Sequence, residues 1–216
     1  MLLSPTIWVS KYGMNIAYTN KITMIVYPKE IILRDKRRII LRPLEERDIE
    51  RLIAFFSKIP SSDLIIYKDD VSRWETVESW FISPKYTKVF QLVALKDEEI
   101  VAKGTLHQEG LYWKNTAEIK LIVHPEYRGK GLGSQMFRIL LTEGLNHRFE
   151  KIVVRFTSDN TSFIRILDRF GFKPEAVLRC YVKDEESGQY KDLVVATYSF
   201  EDWMKRFELY RFLYGK

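Results

Sequence analysis

The stretch "HPEYRGKGLGSQ", residues 124–135, combines the residue types that proteins use to bind an anion. Glycines at alternate positions let successive backbone N–H groups turn toward one anion, because no Cβ atoms stand in the way. Two basic side chains among them add charge and hydrogen-bond donors. The stretch predicts a phosphate-binding loop, and the alternative is an ordinary glycine turn with solvated basic residues. The residues concerned are Arg128, Gly129, Lys130, Gly131 and Gly133.

The loop lies between a predicted strand and a predicted helix. Ala117 to Val123 is the β-branched run "AEIKLIV", and Ser134 to Leu145 has the amphipathic pattern of a helix. The helix would begin near Ser134, so its first N–H groups and the positive end of its dipole would face the loop. This arrangement strengthens the prediction of an anion site.

Two familiar nucleotide-binding loops do not fit this stretch. A Walker A loop requires G-x-x-x-x-G-K-[ST], which no window of the sequence supplies. The dinucleotide fingerprint requires G-x-G-x-x-G, but the third glycine, Gly133, comes one residue too early. The sequence therefore supports neither an NTPase of the Walker type nor a Rossmann oxidoreductase.

The remaining segments predict one mixed α/β sandwich, ordered strand, two helices, three strands, helix, strand, helix, two strands. In the first helix, Ile49, Leu52, Ile53 and Phe56 form one apolar stripe. Gly171 would end the helix within "TSDNTSFIRILDRFGF", at a position where φ can be positive. The last two strands form a hairpin around "EESGQ", and the aromatic tail "EDWMKRFELYRFLYGK" predicts a final helix.

Composition limits the class of protein. A chain of 216 residues with 46% hydrophobic content suits one domain, and the formal charge of +6 suits an anionic ligand. No block of like charges is long enough for a nucleic-acid tail, so we expect no nucleic-acid partner. The single cysteine, Cys180, gives neither an internal disulfide nor a metal cluster. We therefore expect a buried strand thiol, no metal and a cytoplasmic protein.

Residues 1–36 read as short β-prone pieces broken by Gly13, Asn20 and Pro28. They predict an N-terminal extension that pairs with the main sheet or with a second subunit, and the second case would make a homodimer. The first residues show no basic segment before their apolar stretch and no apolar run near 18 residues. We expect neither a signal peptide nor a membrane-spanning helix.

The pattern Arg128-x-x-Gly131-x-Gly133, after a strand that ends at Val123, strongly resembles motif A of the GNAT superfamily of acyl-CoA-dependent N-acyltransferases. The resemblance extends over about residues 38–200. "LRPLEERDIERL" looks like the family's first strand and helix, and "SDNTSFIRILDRFGFKPEA" looks like its second cofactor motif. Two motifs in the right order and at the right separation make the resemblance specific.

The resemblance implies an α+β protein with the GNAT fold. Its mixed, mostly antiparallel sheet would have six to seven strands and would be flanked by helices. Residues 37–216 would form the N-acetyltransferase domain, and residues 1–36 the extension. The implied reaction is direct attack by a primary amine on the thioester of acetyl-CoA, or of another acyl-CoA, without a metal.

The family's cofactor contacts carry over to matching positions of this sequence. The loop and helix start would bind the pyrophosphate, the end of the preceding strand would pair with the pantetheine arm through main-chain groups, and an Asn would hydrogen-bond that arm. Asn160 could equally be an ordinary N-cap, and Phe163 an ordinary core residue. The implied set is Ile122, Val123, Arg128, Gly129, Lys130, Gly131, Gly133, Ser134, Asn160 and Phe163.

The reaction needs a base, because an ammonium has no lone pair, and a donor to the developing oxyanion. Glu118 is the first candidate for the base, since several family members keep a catalytic Glu in this strand; its alternative is a solvent-facing partner of Lys120. His107 and His124 are further candidates. The N–H of Val123 is the natural oxyanion donor.

The acid that protonates the leaving thiolate is the clearest departure from the family. Many members have a Tyr four residues before the Gly of the Gly-Phe pair, but this sequence has Leu167 there. Tyr181 and Tyr190 are near in sequence order, and we name Tyr181 as the candidate. Leu167 also leaves open a sensor module that binds acyl-CoA without turnover.

The acceptor is poorly specified by the sequence. The family resemblance places it against residues 59–81 and 181–190. One segment, "RDKRRIILRPLEERDIERLIAFFSKIPSSD", looks like domains that act on protein lysines. Another, "GFKPEAVLRCYVKDEESGQYKDLVV", looks like domains that act on protein N-termini or small amines. Because a positively charged protein repels polyamines, a protein or peptide amine is favoured over a small-molecule amine.

Overall fold

The computed structural model describes residues 8–9, 15–16, 25–67, 69–82, 89–110, 112–113, 115–184 and 186–202. The predicted C-terminal helix lies largely outside these residues, and so does most of the predicted extension. Among the described residues, no helix is both long enough and apolar enough to cross a membrane.

The strands and helices follow the predicted order from β4 (Arg38–Pro43) onward, except that a short helix, α2 (Ser61–Leu64), lies between the two helices predicted before the three central strands. The strands are β1 (Trp8–Val9), β2 (Asn15–Ile16), β3 (Lys29–Ile32), β4 (Arg38–Pro43), β5 (Val89–Lys96), β6 (Glu99–Gln108), β7 (Thr116–Val123), β8 (Lys151–Thr157), β9 (Lys173–Lys183) and β10 (Tyr190–Ser199). The α-helices are α1 (Ile49–Phe56), α2 (Ser61–Leu64), α3 (Trp74–Ile82), α4 (Leu132–Asn146) and α5 (Thr161–Phe170).

One large sheet organises the described residues. Its strand order is β3-β4-β5-β6-β7-β8-β10-β9, and every neighbouring pair is antiparallel except β7 and β8, which run parallel. The predicted mixed, mostly antiparallel sheet flanked by helices is therefore confirmed. The sheet has eight strands rather than six or seven, because β3, from the segment predicted as an extension, pairs with β4. The division of the chain at residue 36 stays a prediction.

The sheet separates two apolar cores. Helices α4 and α5 cover one face, where Phe137 and Leu140 are buried. Helices α1 and α3 cover the other face, where Phe56 and Trp80 pack with the strands. Gly104 on β6 lets α4 approach closely, because a Cβ there would lie 2.7 Å from Cδ1 of Leu140.

Two glycines set the ends of the helices near the loop. Helix α4 begins at Leu132, two residues before the predicted start at Ser134, and Gly131 precedes it with a φ of 94°. Gly171 ends α5 with a φ of 80°, as predicted. A positive φ costs other L-residues energy, so glycine suits both positions.

Two residues of the C-terminal part of the sheet and its helix, Cys180 on β9 and Leu167 on α5, have surroundings that the sequence does not reveal. Cys180 is exposed, so the prediction of a buried thiol is wrong. The reason is that β9 is the outer strand of the sheet and is covered on neither face by the described helices. Leu167, at the family's Tyr position, is 4% exposed and belongs to the core on the α4 and α5 face.

Candidate functional site

The glycine loop joins the end of β7 to the start of α4. A short 3-10 turn, Pro125–Tyr127, comes first, and Nδ1 of His124 accepts a hydrogen bond from the N–H of Glu126 at 3.4 Å. His124 therefore caps the turn. Gly129 follows with a φ of 71° and Gly131 with a φ of 94°. These left-handed conformations turn the chain back on itself and direct its amides to one side.

The backbone of the loop presents a continuous run of donors. None of the six N–H groups from Gly129 to Ser134 donates a hydrogen bond to another described residue. The next N–H, that of Gln135, donates to the carbonyl of Gly131 at 3.1 Å and starts the helical pattern. The first amides of α4 belong to this run, so the positive end of the helix dipole adds to it.

The predicted basic residues of the loop are engaged within the protein. Arg128 donates from Nε to the carbonyl of Val123 at 2.9 Å and pairs through Nη2 with Asp63 at 2.6 Å. Lys130 donates to the carbonyl of Glu126 at 2.5 Å and pairs with Asp35 at 3.2 Å. These contacts hold the loop to neighbouring segments, and a contact of either side chain with a phosphate stays a prediction.

Gly133 has a packing role that the sequence pattern does not reveal. A Cβ on Gly133 would lie 3.3 Å from Cδ1 of Ile166 and 3.7 Å from Cγ2 of Val123. Glycine therefore lets the first turn of α4 fit between α5 and the end of β7. A larger residue here would disturb the core as well as the loop.

A fork opens in the sheet beside the loop. The parallel pairing of β7 with β8 ends at the pair Glu118 and Val153. Strand β7 continues to pair with β6 as far as Val123 and Ala102. Beyond Glu118, the edge of β7 that faces β8 is therefore not covered by a described strand.

The register shows which main-chain groups face the fork. The N–H of His124 donates to Val101 and that of Glu109 to Thr116, so even-numbered residues of β7 bond to β6. The N–H and carbonyl groups of Leu121 and Val123 consequently point into the fork. Those of Ile122 point to β6, which contradicts the predicted main-chain role of Ile122. Leu121 is the neighbouring residue whose main-chain groups face the fork.

The two candidate residues of the second cofactor motif lie at the start of α5, Asn160 as its N-cap and Phe163 in its first turn. The side chain of Asn160 accepts a hydrogen bond from the N–H of Phe163 at 3.1 Å and so caps the helix. Phe163 is partly buried and packs edge-on against Phe137 and Phe156. Both alternatives from the sequence, an N-cap and a core residue, are thus observed. A contact of either residue with the pantetheine stays a prediction.

A charged cluster surrounds Glu118 at the base of the fork. Glu118 is 5% exposed, and its carboxylate lies 2.9 Å from Nη1 of Arg155, 3.2 Å from Nε2 of His107 and 3.8 Å from Nζ of Lys120. Burial alone would raise the pKa of Glu118, but His107, Lys120 and Arg155 outweigh it and lower the pKa to about 2. Glu118 is therefore a poor proton acceptor near neutral pH.

His107 is the group in this cluster that suits proton transfer. It lies directly opposite Glu118 in the β6–β7 pairing and is partly exposed. Imidazole is the side chain most often used as a general base. Glu118 and Arg155 hold it in place through a chain of contacts that ends at Glu109, 2.5 Å from Arg155. The sequence analysis does not identify Arg155, although a charge inside the apolar strand "KIVVRF" is a signal.

An aromatic and basic cluster from α3 and its preceding loop covers the same face of the sheet. Nζ of Lys103 lies 3.8 Å above the ring centre of Trp80, and the ring of Tyr67 stacks on Trp80 with 6.0 Å between centres. Burial and the nearby Lys120 lower the pKa of Lys103 well below its usual value. The hydroxyl of Tyr67 is buried and has no hydrogen-bond partner among the described residues.

Tyr181 is not brought to this cluster. It lies on β9, which β8 and β10 separate from β7, and its side chain is exposed. Tyr190, on β10, is exposed as well. The structure therefore gives no support for Tyr181 as the acid that protonates a leaving group at the fork. No group of three or more metal-ligating side chains occurs among the described residues.

Comparison with known proteins shows the family to which the chain belongs. The family described as "Acetyltransferase (GNAT) domain" matches residues 38–173 of the chain. YwnH of Bacillus subtilis, provisionally named a phosphinothricin acetyltransferase, is 23% identical over 136 residues, which cover 61% of this chain and 82% of YwnH.

Solved structures share the fold. The acetyltransferase yncA of Salmonella typhimurium, so named provisionally and solved with acetyl-CoA, is 18% identical with a TM-score of 0.64, covering 74% of this chain and 93% of yncA. Ribosomal-protein-alanine N-acetyltransferase of Brucella melitensis is 17% identical with a TM-score of 0.63, covering 74% of this chain and 99% of that one.

The buried hydroxyl of Tyr67 leads to a stability prediction. Tyr67→Phe should leave the free energy of unfolding unchanged or raise it by about 1 kcal/mol, because an unsatisfied buried hydroxyl is costly. Tyr27→Phe is the matched control, since the Tyr27 hydroxyl donates to Glu143 at 3.0 Å, and its loss should cost about 1 kcal/mol. Urea unfolding measures both, and equal destabilisation of the two variants would contradict the expectation.

The cluster around Glu118 leads to a pH prediction. The folded pKa of about 2 lies below the ordinary value of 4.5, so the carboxylate stabilises the fold fully above pH 4.5 and progressively less as the pH falls toward 2. The difference between the two pKa values corresponds to on the order of 3 kcal/mol of unfolding free energy. Urea unfolding of wild type and Glu118→Gln across this range should give curves that converge at low pH.

The exposed Glu99 provides the control for that measurement, since its carboxylate is mostly solvated. Glu99→Gln should follow wild type across the whole pH range. A constant offset between wild type and Glu118→Gln would show that Glu118 does not titrate with the fold.

Proposed function

The chain belongs to the GNAT acetyltransferase family and is an acyltransferase, and on this premise we propose that it transfers an acetyl group from acetyl-CoA to a primary amine. One observation carries the proposal. The run of amides from Gly129 to Ser134 stands directly beside the fork between β7 and β8. A diphosphate linked to an extended arm needs both features at this spacing.

The residues present fit such a cofactor. The amides at residues 129–134 supply hydrogen bonds for a diphosphate, and the positive φ of Gly131 holds them on one side. Main-chain groups of Leu121 would pair with the amides of a pantetheine arm as an added strand does, since the carbonyl of Val123 already accepts from Nε of Arg128. When bound, acyl-CoA supplies an activated thioester. The N–H of Val123 points toward the fork and is placed to donate to a carbonyl oxygen there.

We assign proton removal from the amine to His107. The imidazole would take the proton at Nδ1, directly or through a water, while Nε2 faces the carboxylate of Glu118, 3.2 Å away, which would hold the ring in this tautomer. Because the pKa of Glu118 is about 2, this carboxylate stays ionised and serves as a positioning residue. The assignment replaces Glu118 as the base and keeps it in the mechanism.

The acceptor would bind on the face covered by α3 and its preceding loop. The buried hydroxyl of Tyr67 needs a hydrogen-bond partner, which a bound amine substrate would supply. Ser61 on α2 donates to Glu186 in the β9–β10 turn at 2.6 Å, so the two predicted acceptor segments meet. We favour a protein or peptide amine because of the net charge of +6; the name of YwnH favours a small amine.

Thiol release from acetyl-CoA with a panel of amines tests the proposal. The panel contains peptides with free N-termini, peptides with internal lysines, phosphinothricin and amino acids. Amine-dependent release above hydrolysis supports the transferase. The core position of Leu167 removes the family's usual acid, so saturable CoA binding without turnover for any amine would favour a sensor module instead.

Gly129 offers a direct test of the anion cradle, the name used here for the run of backbone amides from Gly129 to Ser134. It has a φ of 71°, and a Cβ there would meet no atom within 4 Å, so Asp or Asn can be accommodated because both adopt positive φ more readily than most residues. Gly129→Asp should weaken CoA binding at least about tenfold by repulsion, and the uncharged Gly129→Asn should weaken it less. Isothermal titration calorimetry measures both dissociation constants.

Gly188 is the matched control for the backbone effect. It has a φ of 69° and equally open surroundings, in the turn between β9 and β10. Gly188→Asp should bind CoA as wild type does, which separates local charge from a general cost of replacing glycine. If Gly129→Asp binds CoA with wild-type affinity, the amides of residues 129–134 do not form the phosphate site.

His107 is tested by kinetics. His107→Gln should lower kcat by about a hundredfold or more, the range expected for loss of a general base, while the Kd for CoA stays unchanged. His147→Gln, at the C-terminal end of α4, is the control and should keep wild-type kcat. The assay uses whichever amine of the panel gives turnover. An unchanged kcat in His107→Gln would show that His107 is not the general base.

A further inference from the structure

The turn between β3 and β4 packs against the glycine loop. It comprises residues 33–37 and precedes the part of the chain that matches the family, which begins at residue 38. The N–H of Arg34 donates to the carbonyl of Lys130 at 3.2 Å. The carboxylate of Asp35 pairs with Lys130 at 3.2 Å. A segment outside the matched domain thus contacts the proposed phosphate site directly.

Arg37 joins the turn to the other end of the loop. Its guanidinium donates to the carbonyl of Glu126 at 2.9 Å and lies 4.1 Å from the ring centre of Tyr127. It also pairs with Asp35 at 2.7 Å. Arg37 is therefore committed to holding the turn in place.

The turn has a defined conformation of its own. The N–H of Leu33 donates to Arg37 at 2.9 Å, the N–H of Lys36 donates to Leu33 at 3.0 Å, and Lys36 has a φ of 67°. The side chain of Leu33 is buried in the core. The backbone of Arg34 is thus fixed between a buried neighbour and the loop.

The side chain of Arg34 stands at the mouth of the cradle. Its Nε lies 4.0 Å from the position that a Cβ on Gly131 would occupy. Arg34 is exposed, and no carboxylate among the described residues lies within ion-pair distance of it. The basic side chains of the loop itself, Arg128 and Lys130, are each paired with an aspartate. Arg34 is therefore a cation beside the amides that an incoming anion can meet without displacing a carboxylate of the described residues.

We propose that Arg34 binds a phosphate group of acyl-CoA and completes the cradle from outside the family's matched domain. The inference rests on the proposed function, because it assigns a further binding residue to the same site. A guanidinium forms charge-assisted hydrogen bonds to phosphate that are stronger than those of a neutral amide. Acyl-CoA carries phosphate in its diphosphate and on its ribose, and the experiment separates the two.

The experiment compares CoA with 3′-dephospho-CoA by calorimetric titration of the full chain. Arg34→Gln should raise the Kd for CoA about tenfold, and Arg34→Lys should fall between it and wild type because it keeps the charge. The control is Arg38→Gln, an exposed arginine that pairs weakly with Glu30 at 3.6 Å. It should stay within about twofold of wild type.

The outcomes are distinguishable. A loss in Arg34→Gln that is equal for both compounds places Arg34 on the diphosphate, and a loss for CoA alone places it on the ribose phosphate; either supports the inference. If wild type and Arg34→Gln bind CoA equally, the inference is overturned while the proposed function stands. If wild type binds neither compound, the proposed function fails. An unchanged melting temperature of Arg34→Gln excludes collapse of the turn.

Discussion

The parting of β7 and β8 after Glu118 is the constraint on which the rest of the structure depends. Main-chain groups inside a protein need hydrogen-bond partners, yet Leu121 directs its N–H and carbonyl, and Val123 its N–H, into an open fork. This is also the one parallel pair among the described strands, so α4 must cross over the sheet to connect the two. The crossover places the first amides of α4 at the mouth of the fork. The separation of β7 from β8 thus creates the fork and places the anion cradle beside it.

The two basic side chains of the glycine loop form ion pairs that hold the loop to neighbouring segments. Arg128 ties it to α2 through Asp63, and Lys130 ties it to the β3–β4 turn through Asp35. Partly exposed pairs of this kind contribute little stability, but two of them fix a glycine-rich segment whose backbone would otherwise be free to move. A preformed set of amides binds an anion without the entropic cost of ordering the loop first. The basic side chains therefore act through the backbone that they position.

The sequence predicts the local features of this site better than its long-range ones. The glycine loop, the flanking strand and helix, and the positive φ of Gly171 follow from residue type and spacing. Whether Leu121 or Ile122 directs its main-chain groups into the fork depends on the register between β6 and β7, which no local pattern encodes. Arg155 comes from a strand that meets β7 only in the folded sheet. Cys180 is exposed because β9 is an outer strand, a property of strand order rather than of residue type.

The environment of Glu118 explains why a buried carboxylate can remain charged at the fork. Burial opposes ionisation, but Arg155, His107 and Lys120 compensate for it, so the carboxylate stays ionised over the range in which an enzyme works. This fixed negative charge lies 3.2 Å from Nε2 of His107, the group to which we assign proton removal. The same charge fixes the orientation of the ring. In the proposed mechanism, His107 would accept the proton and Glu118 would position the ring that accepts it.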